Sequence, residues 1–239
     1  MKGDAASGGP PSAAAWAVHA FTFSGAVLAF LAVMAIEGEN FRLALLWLLI
    51  ALAVDGVDGT LARWARVKEK AGRIDGDTAD LVIDYLTYVF VPTILIWRAG
   101  LVPEGWIVPL AALIQLSSLY LFTRRDMKTE DNYFRGFPSL WNVVALYLLV
   151  GQPGPVVGAA VVLFFTLITF APVHFVHPFR VTDYGRWAPG LASLWAVVTL
   201  ALLWPGWSQN VASGLMWMSL VAGVALLGMG FLRTVRGPA

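Results

Sequence analysis

The sequence predicts an all-α integral membrane protein of about eight transmembrane helices, and three observations carry that prediction. Hydrophobic residues make up 59% of the 239 and charged residues 13%, about half the charged share of a soluble domain. Apolar windows of about 20 residues recur along the chain, each long enough to cross a bilayer. Lys and Arg collect on alternate connections, 14 of the 16 falling on one face.

The elements follow in chain order. Segment 1–12 is rich in Gly, Ser, Pro and Ala and reads as a flexible N-terminus, with 13–239 as one polytopic membrane domain. The first apolar run, 13–36, continues well past the hydrophobic core of a signal peptide and carries His19 and Thr22. It is therefore read as a retained helix. The further spans are 42–63, 78–97, 106–122, 137–151, 155–173, 188–204 and 211–232. The fifth is short and contains Asn142, so a tilted or partly buried helix is its alternative.

The connections on one face carry Lys2, then Arg63, Arg66, Lys68, Lys70 and Arg73, then Arg124, Arg125, Lys128 and Arg135, then Arg180, Arg186, Arg233 and Arg236. The other face has only Arg42 and Arg98. The positive-inside rule makes the first face cytoplasmic. Trp97, Trp106, Trp204 and Trp207 fall near the sparse face, where an interfacial aromatic belt belongs.

The net charge of +1, with no basic run, gives no sign of nucleic-acid binding. The absence of cysteine excludes disulfides, thiolate metal sites and cysteine nucleophiles.

The chemistry lies in two short stretches. Asp55 and Asp58 are three apart on the second helix, and Asp80 and Asp84 are four apart on the third. Either spacing puts both side chains on one helix face. A connection of roughly a dozen residues lets the helices pack antiparallel, with both pairs at the cytoplasmic end. Four converging carboxylates repel one another and resist ionisation without cations. Burying them in a membrane is costly, and intramembrane Asp marks function by default. A hard divalent ion removes the conflict and leaves positions for phosphate oxygens. Two such ions could clamp a pyrophosphate. Gly56 and Gly59 lie among these residues, where a ligand must approach the backbone, and Arg63 stands about one turn beyond Asp58. The competing structural reading is an interfacial charge network with Arg63, Arg66, Lys68, Lys70 and Arg73. An ion- or proton-coupled transporter using the Asp cluster as a relay is the alternative function. The chain lacks the internal repeat that many transporters show, and the Asp residues lie at one membrane face. A membrane scaffold leaves the Asp/Gly pattern unexplained.

Asp55, Asp58, Gly59, Ala62, Arg63, Gly76, Asp80 and Asp84 resemble, in order, the signature of the CDP-alcohol phosphatidyltransferases, D-x2-D-G-x2-A-R followed by G-x3-D-x3-D. The twelve-residue spacer resembles the bacterial phosphatidylcholine synthase branch, as do stretches 84–92, 128–131 and 136–142. His19-x2-Thr22 departs from the Asn-x2-Thr of many members. The resemblance implies transfer of a phosphatidyl group from CDP-diacylglycerol to choline with release of CMP, dependent on Mn²⁺ or Mg²⁺ as two ions. Asp55, Asp58, Asp80 and Asp84 would be metal ligands, with Asp84 also the general base. Asp58, Gly59, Ala62, Arg63 and Gly76 would line the nucleotide and pyrophosphate site. Asp77 shares the Asp80/Asp84 face but stands outside the signature, so it is placed behind the ligands. A homodimer in the bacterial inner membrane, contacting membrane lipids and with its site facing the cytoplasm, is also implied.

A quaternary ammonium calls for aromatic faces or a carboxylate. Tyr85, Tyr88, Glu130, Tyr133, Trp141 and Asn142 are the candidates, with interfacial anchoring or helix–helix hydrogen bonding as their structural alternatives. Acceptors such as serine or glycerol phosphate remain open, because Arg124, Arg125 and Arg180 could form a basic pocket; they are read first as topology signals. His174 and His177 are read as structural.

Overall fold

The computed structural model describes residues 12–237; all of the N-terminal segment except Ser12 lies outside the described residues. Helix α1 (Ala13–Glu37) and α2 (Phe41–Trp64) form an antiparallel hairpin. Asn40 caps α2, its side chain accepting from the Leu43 N–H at 3.1 Å. Along α1 the small residues Gly25, Ala29, Ala32 and Ala35 are buried. Small residues let membrane helices approach where lipid offers no hydrophobic drive.

A single turn, α3 (Val67–Lys70), leads to the third apolar segment. That segment is α4 (Gly76–Asp84), a π-helical turn (Tyr85–Phe90) and α5 (Val91–Arg98). The sequence predicted one regular helix there. Pro92 has no N–H and its ring crowds the carbonyl four residues back. The wider turn just before it accommodates that crowding. Thr87 and Thr93 donate their hydroxyls to the Ile83 and Val89 carbonyls at 3.0 and 2.7 Å. Such side chains satisfy backbone groups in an irregular membrane helix.

Next come α6 (Ile107–Thr123), α7 (Trp141–Gly151), α8 (Pro155–Phe170), α9 (Trp187–Leu202) and α10 (Gln209–Arg236). Apolar helical structure thus occupies all eight expected places. Five stretches are long and apolar enough to cross a membrane: Ala13–Glu37, Phe41–Trp64, Gly76–Arg98, Glu104–Thr123 and Gln209–Arg236. The chain is a multi-pass membrane protein. The fifth span takes the partly buried form that its shortness and Asn142 left open: 137–151 is helical only over Trp141–Gly151. At 1.5 Å per residue an 11-residue helix is about 16 Å long, half the hydrocarbon thickness. It is an interior element, burying Trp141, Asn142, Val144, Ala145, Leu146 and Leu148. Trp97, Trp106, Trp204 and Trp207 are exposed.

One element had no counterpart in the sequence reading. Strands β1 (Tyr133–Arg135) and β2 (His174–Val176) pair antiparallel, Phe134 opposite Phe175. They join the two connections that follow α6 and α8 into one structured cap. Gly136 (φ +84°) permits this, since a Cβ there would meet the Thr169 backbone.

Candidate active site

Helices α2 and α4 bring the carboxylates together. One oxygen from each of Asp55, Asp80 and Asp84 lies within 4.8 Å of the others. Oδ1 of Asp84 is buried with no hydrogen-bond partner among the described residues. Asp58 is buried as well and accepts from the Thr22 hydroxyl at 2.8 Å. None of the four forms an ion pair among the described residues, so the charge-network reading fails for them. An unpartnered buried carboxylate oxygen costs several kcal/mol unless a cation or proton meets it. The donor set is entirely hard oxygen, the chemistry that suits a hard divalent ion. Asp55, Asp80 and Asp84 form a cluster that can hold such an ion.

Two side chains hold this set in place, and the spacing rule anticipated neither. Thr22 reaches Asp58 from α1. Tyr88, from the π turn, donates its hydroxyl to Asp55 Oδ2 at 2.5 Å. Gly25 lets α1 lie against α4, since a Cβ there would stand 2.5 Å from Ile83 Cγ2, next to Asp84. The neighbouring acids do other work. Asp75 caps α4, accepting from the Thr78 N–H and hydroxyl at 3.1 and 2.8 Å. Asp77, expected behind the ligands, is instead 78% exposed and 2.6 Å from Lys68 Nζ. It sits in the first turn of α4, where the helix meets water and the basic α3 turn.

The residues expected around a nucleotide lie on the same helices. Gly56 faces open space. Gly59 lies beneath two guanidiniums: a Cβ there would stand 3.3 Å from Arg180 Nη2 and 3.6 Å from Arg63 Nη1. Ala62 packs on the small cluster of Ala15, Val18 and Ala65. Gly76 lies against His19, whose Cε1 would be 3.4 Å from a Cβ there. His19 Nε2 is 3.3 Å from the Ala71 carbonyl oxygen, tying α1 to the loop.

The six candidates for contact with a quaternary ammonium go to different surroundings. Tyr88 is beside Asp55. Tyr85 donates to Gln115 Oε1 at 2.5 Å. Tyr133 is fully buried, its hydroxyl 2.8 Å from Asp183 Oδ2. Trp141 is fully buried and donates to the Ser118 hydroxyl at 2.9 Å. Asn142 accepts from the Val143 N–H, leaving its buried Nδ2 without a partner among the described residues. Glu130 is exposed on the loop. The Tyr133 hydroxyl and the Trp141 indole N–H are thus committed to Asp183 and Ser118.

The two histidines do not come together as a metal pair. His174 Nδ1 is 3.2 Å from the Thr234 hydroxyl, and His177 stacks on Phe134 at 5.6 Å. Burial, Lys128 and Arg180 push the His177 imidazole down to about 4, so it is neutral at pH 7. Arg124 pairs with Asp126 at 2.8 Å.

A sequence profile of CDP-alcohol phosphatidyltransferases matches residues 17–225. The chain is 46% identical over 185 residues to a phosphatidylcholine synthase of Pseudomonas aeruginosa, covering 77% of this chain and 78% of that one. Similar enzymes of Mesorhizobium japonicum and Rhizobium meliloti are 40% and 39% identical, over 77% and 79% of this chain and 69% and 78% of theirs.

Proposed function

The chain belongs to the CDP-alcohol phosphatidyltransferase family, and on that premise we propose that it is a phosphatidylcholine synthase, transferring the phosphatidyl group of CDP-diacylglycerol to choline. The observation that carries the reading is the meeting of Asp55, Asp80 and Asp84 within 4.8 Å, with a buried Asp84 oxygen left unpartnered. The relatives' name points to phosphatidylcholine as the product, and the family's to a CDP-activated donor.

In this reading Asp84 takes the proton of the choline hydroxyl. The freed oxygen bonds to the lipid-side phosphorus, the bond from that phosphorus to the bridging oxygen breaks, and CMP leaves with the electron pair. Asp55, Asp58, Asp80 and Asp84 would hold two Mn²⁺ or Mg²⁺ ions, whose chemistry is to neutralise the carboxylates and the charge building on the phosphates. Tyr88 and Thr22 orient Asp55 and Asp58, so little reorganisation is needed during reaction. Gly59, Ala62, Arg63 and Gly76 form the nucleotide side. A groove of about 240 Å³, lined by Leu81, Val82, Tyr85, Leu86, Leu119 and Phe122, opens on the helix that carries Asp80 and Asp84. Its apolar walls suit an acyl chain. The basic connections support a site at the cytoplasmic face of a bacterial inner membrane, and the family resemblance supports a homodimer as the working unit.

The test is CMP release by the purified protein in detergent, with choline, serine and glycerol phosphate supplied in parallel. Release should require CDP-diacylglycerol, Mn²⁺ or Mg²⁺, and choline together. Asp84→Asn should lower turnover by about 10²–10⁴-fold, the usual worth of a general base, while metal-dependent nucleotide binding partly survives. Preference for serine or glycerol phosphate would overturn the acceptor. Undiminished turnover in the Asn variant would overturn the role of Asp84.

A further inference from the structure

We propose that Arg180, carried by the loop between β2 and α9, grips the pyrophosphate of the CDP-activated lipid together with Arg63, over the bare backbone of Gly59. The inference rests on the function proposed above and adds a substrate-binding residue from a part of the chain remote from the signature.

Three observations converge on it. First, the guanidiniums lie on the same side of Gly59, at 3.3 and 3.6 Å from where its Cβ would be. Their nearest nitrogens are therefore at most about 7 Å apart, inside the ~8 Å screening length of physiological salt. Second, neither Arg63, Arg180 nor Lys128 has a carboxylate partner within 4.0 Å among the described residues. Among the described residues the Arg63 side chain bonds the Thr60 hydroxyl alone, at 3.0 Å, although Asp58 lies five residues before it on the same helix. Third, the cap that supplies Arg180 is built rather than loose. Strands β1 and β2 pair, the Arg180 N–H bonds the His177 carbonyl at 3.0 Å, and Asn132 Nδ2 donates to the Arg180 carbonyl at 3.4 Å. Lys128 belongs to the same cap, with Nζ 4.9 Å over the Phe134 ring.

Two unpaired guanidiniums facing one glycine repel each other until an anion lies between them. Guanidinium forks match phosphate oxygens bidentately. A pyrophosphate diester carries one negative charge on each phosphate, one for each guanidinium. A bare Gly59 is what lets the phosphates reach the helix backbone beneath. An anionic lipid headgroup offers the same phosphate chemistry, so the test separates it from the nucleotide.

Binding of soluble CDP in Mn²⁺-containing detergent is measured for wild type, Arg180→Ala, Arg180→Lys and Arg186→Ala, the last removing an exposed arginine of the same loop. KM for CDP-diacylglycerol and for choline is measured alongside, and thermal midpoints confirm folding. Arg180→Ala should weaken CDP binding by about tenfold or more, as loss of a charge-assisted fork to phosphate does. KM for CDP-diacylglycerol should rise, and choline KM should stay within about twofold. The Lys variant should recover part of the affinity, because it restores charge without the fork. Arg186→Ala should bind CDP like wild type. Unchanged CDP binding in folded Arg180→Ala would overturn the proposal and leave headgroup contact as the role of Arg180. So would an equal loss in Arg186→Ala, or a rise confined to choline KM. A wild-type protein that binds CDP but releases no CMP with any alcohol would instead overturn the proposed function.

Discussion

Tyr88 shows how one side chain can hold a site without belonging to its signature. It lies four residues after Asp84 and so invites reading as part of an aromatic box. Its hydroxyl is committed to Asp55 at 2.5 Å, and the residue is 5% exposed. Partners that orient a ligating carboxylate matter nearly as much as the ligand itself. Tyr88→Phe should therefore raise the metal concentration needed for half-maximal turnover by about 10–100-fold, with a nearly unchanged thermal midpoint. An unaltered metal requirement would show that Asp55 is held by packing alone. The four aspartates themselves were legible at this scale, since a three- or four-residue spacing decides a helix face locally. The hydroxyls of Thr22 and Tyr88 were not, because a hydrogen bond over 36 or 33 residues depends on how helices pack.

At the scale of elements, the decisive contact is α1 against α4. A Cβ on Gly25 would stand 2.5 Å from Ile83 Cγ2, and Ile83 adjoins Asp84. Gly25→Ala should cost about 1–3 kcal/mol by overpacking and lower turnover by displacing Asp84. Ile83→Ala opens the same space from the other side. The double variant should be more stable than the sum of the two single losses, the mark of residues in contact. Additive losses in thermal midpoint would remove that contact from the account. The third span teaches a related lesson. Its hydropathy announced a helix, but only packing decided that a π turn would interrupt it just before Pro92. For the fifth span, its shortness and Asn142 left a crossing helix and a partly buried one both open, and packing made it a short interior helix.

Across the whole molecule, the cap built on β1 and β2 is fastened to the C-terminal helix. Arg233 Nε lies 2.6 Å from Asp131 Oδ2 and its guanidinium 5.7 Å from the Tyr133 ring centroid. Gly230 lets α10 pass against the His174 backbone, which a Cβ there would strike. The hydrogen bond from Arg233 is the main cause that holds Asp131 down to about 2. A carboxyl depressed in the folded state stabilises that state fully above its unfolded pKa of about 4 and loses the effect as pH falls towards 2. Arg233→Met should therefore lower the thermal midpoint at pH 7, with the gap to wild type narrowing as pH drops below about 4. A gap that is constant with pH would mean that the arginine acts through packing on Tyr133 alone.

The linear chain by itself determined the membrane class, the eight apolar segments, the pairing of aspartates on two helix faces and the resemblance to CDP-alcohol phosphatidyltransferases. These follow from hydropathy and helical period, which act over one or two turns. Tertiary structure alone decided that Arg180 comes to lie over Gly59, that Tyr88 serves Asp55, that Asp77 turns to Lys68, and that two loops pair as strands. Such neighbours are chosen by packing and desolvation between distant segments, and residue spacing along the chain carries no record of that choice.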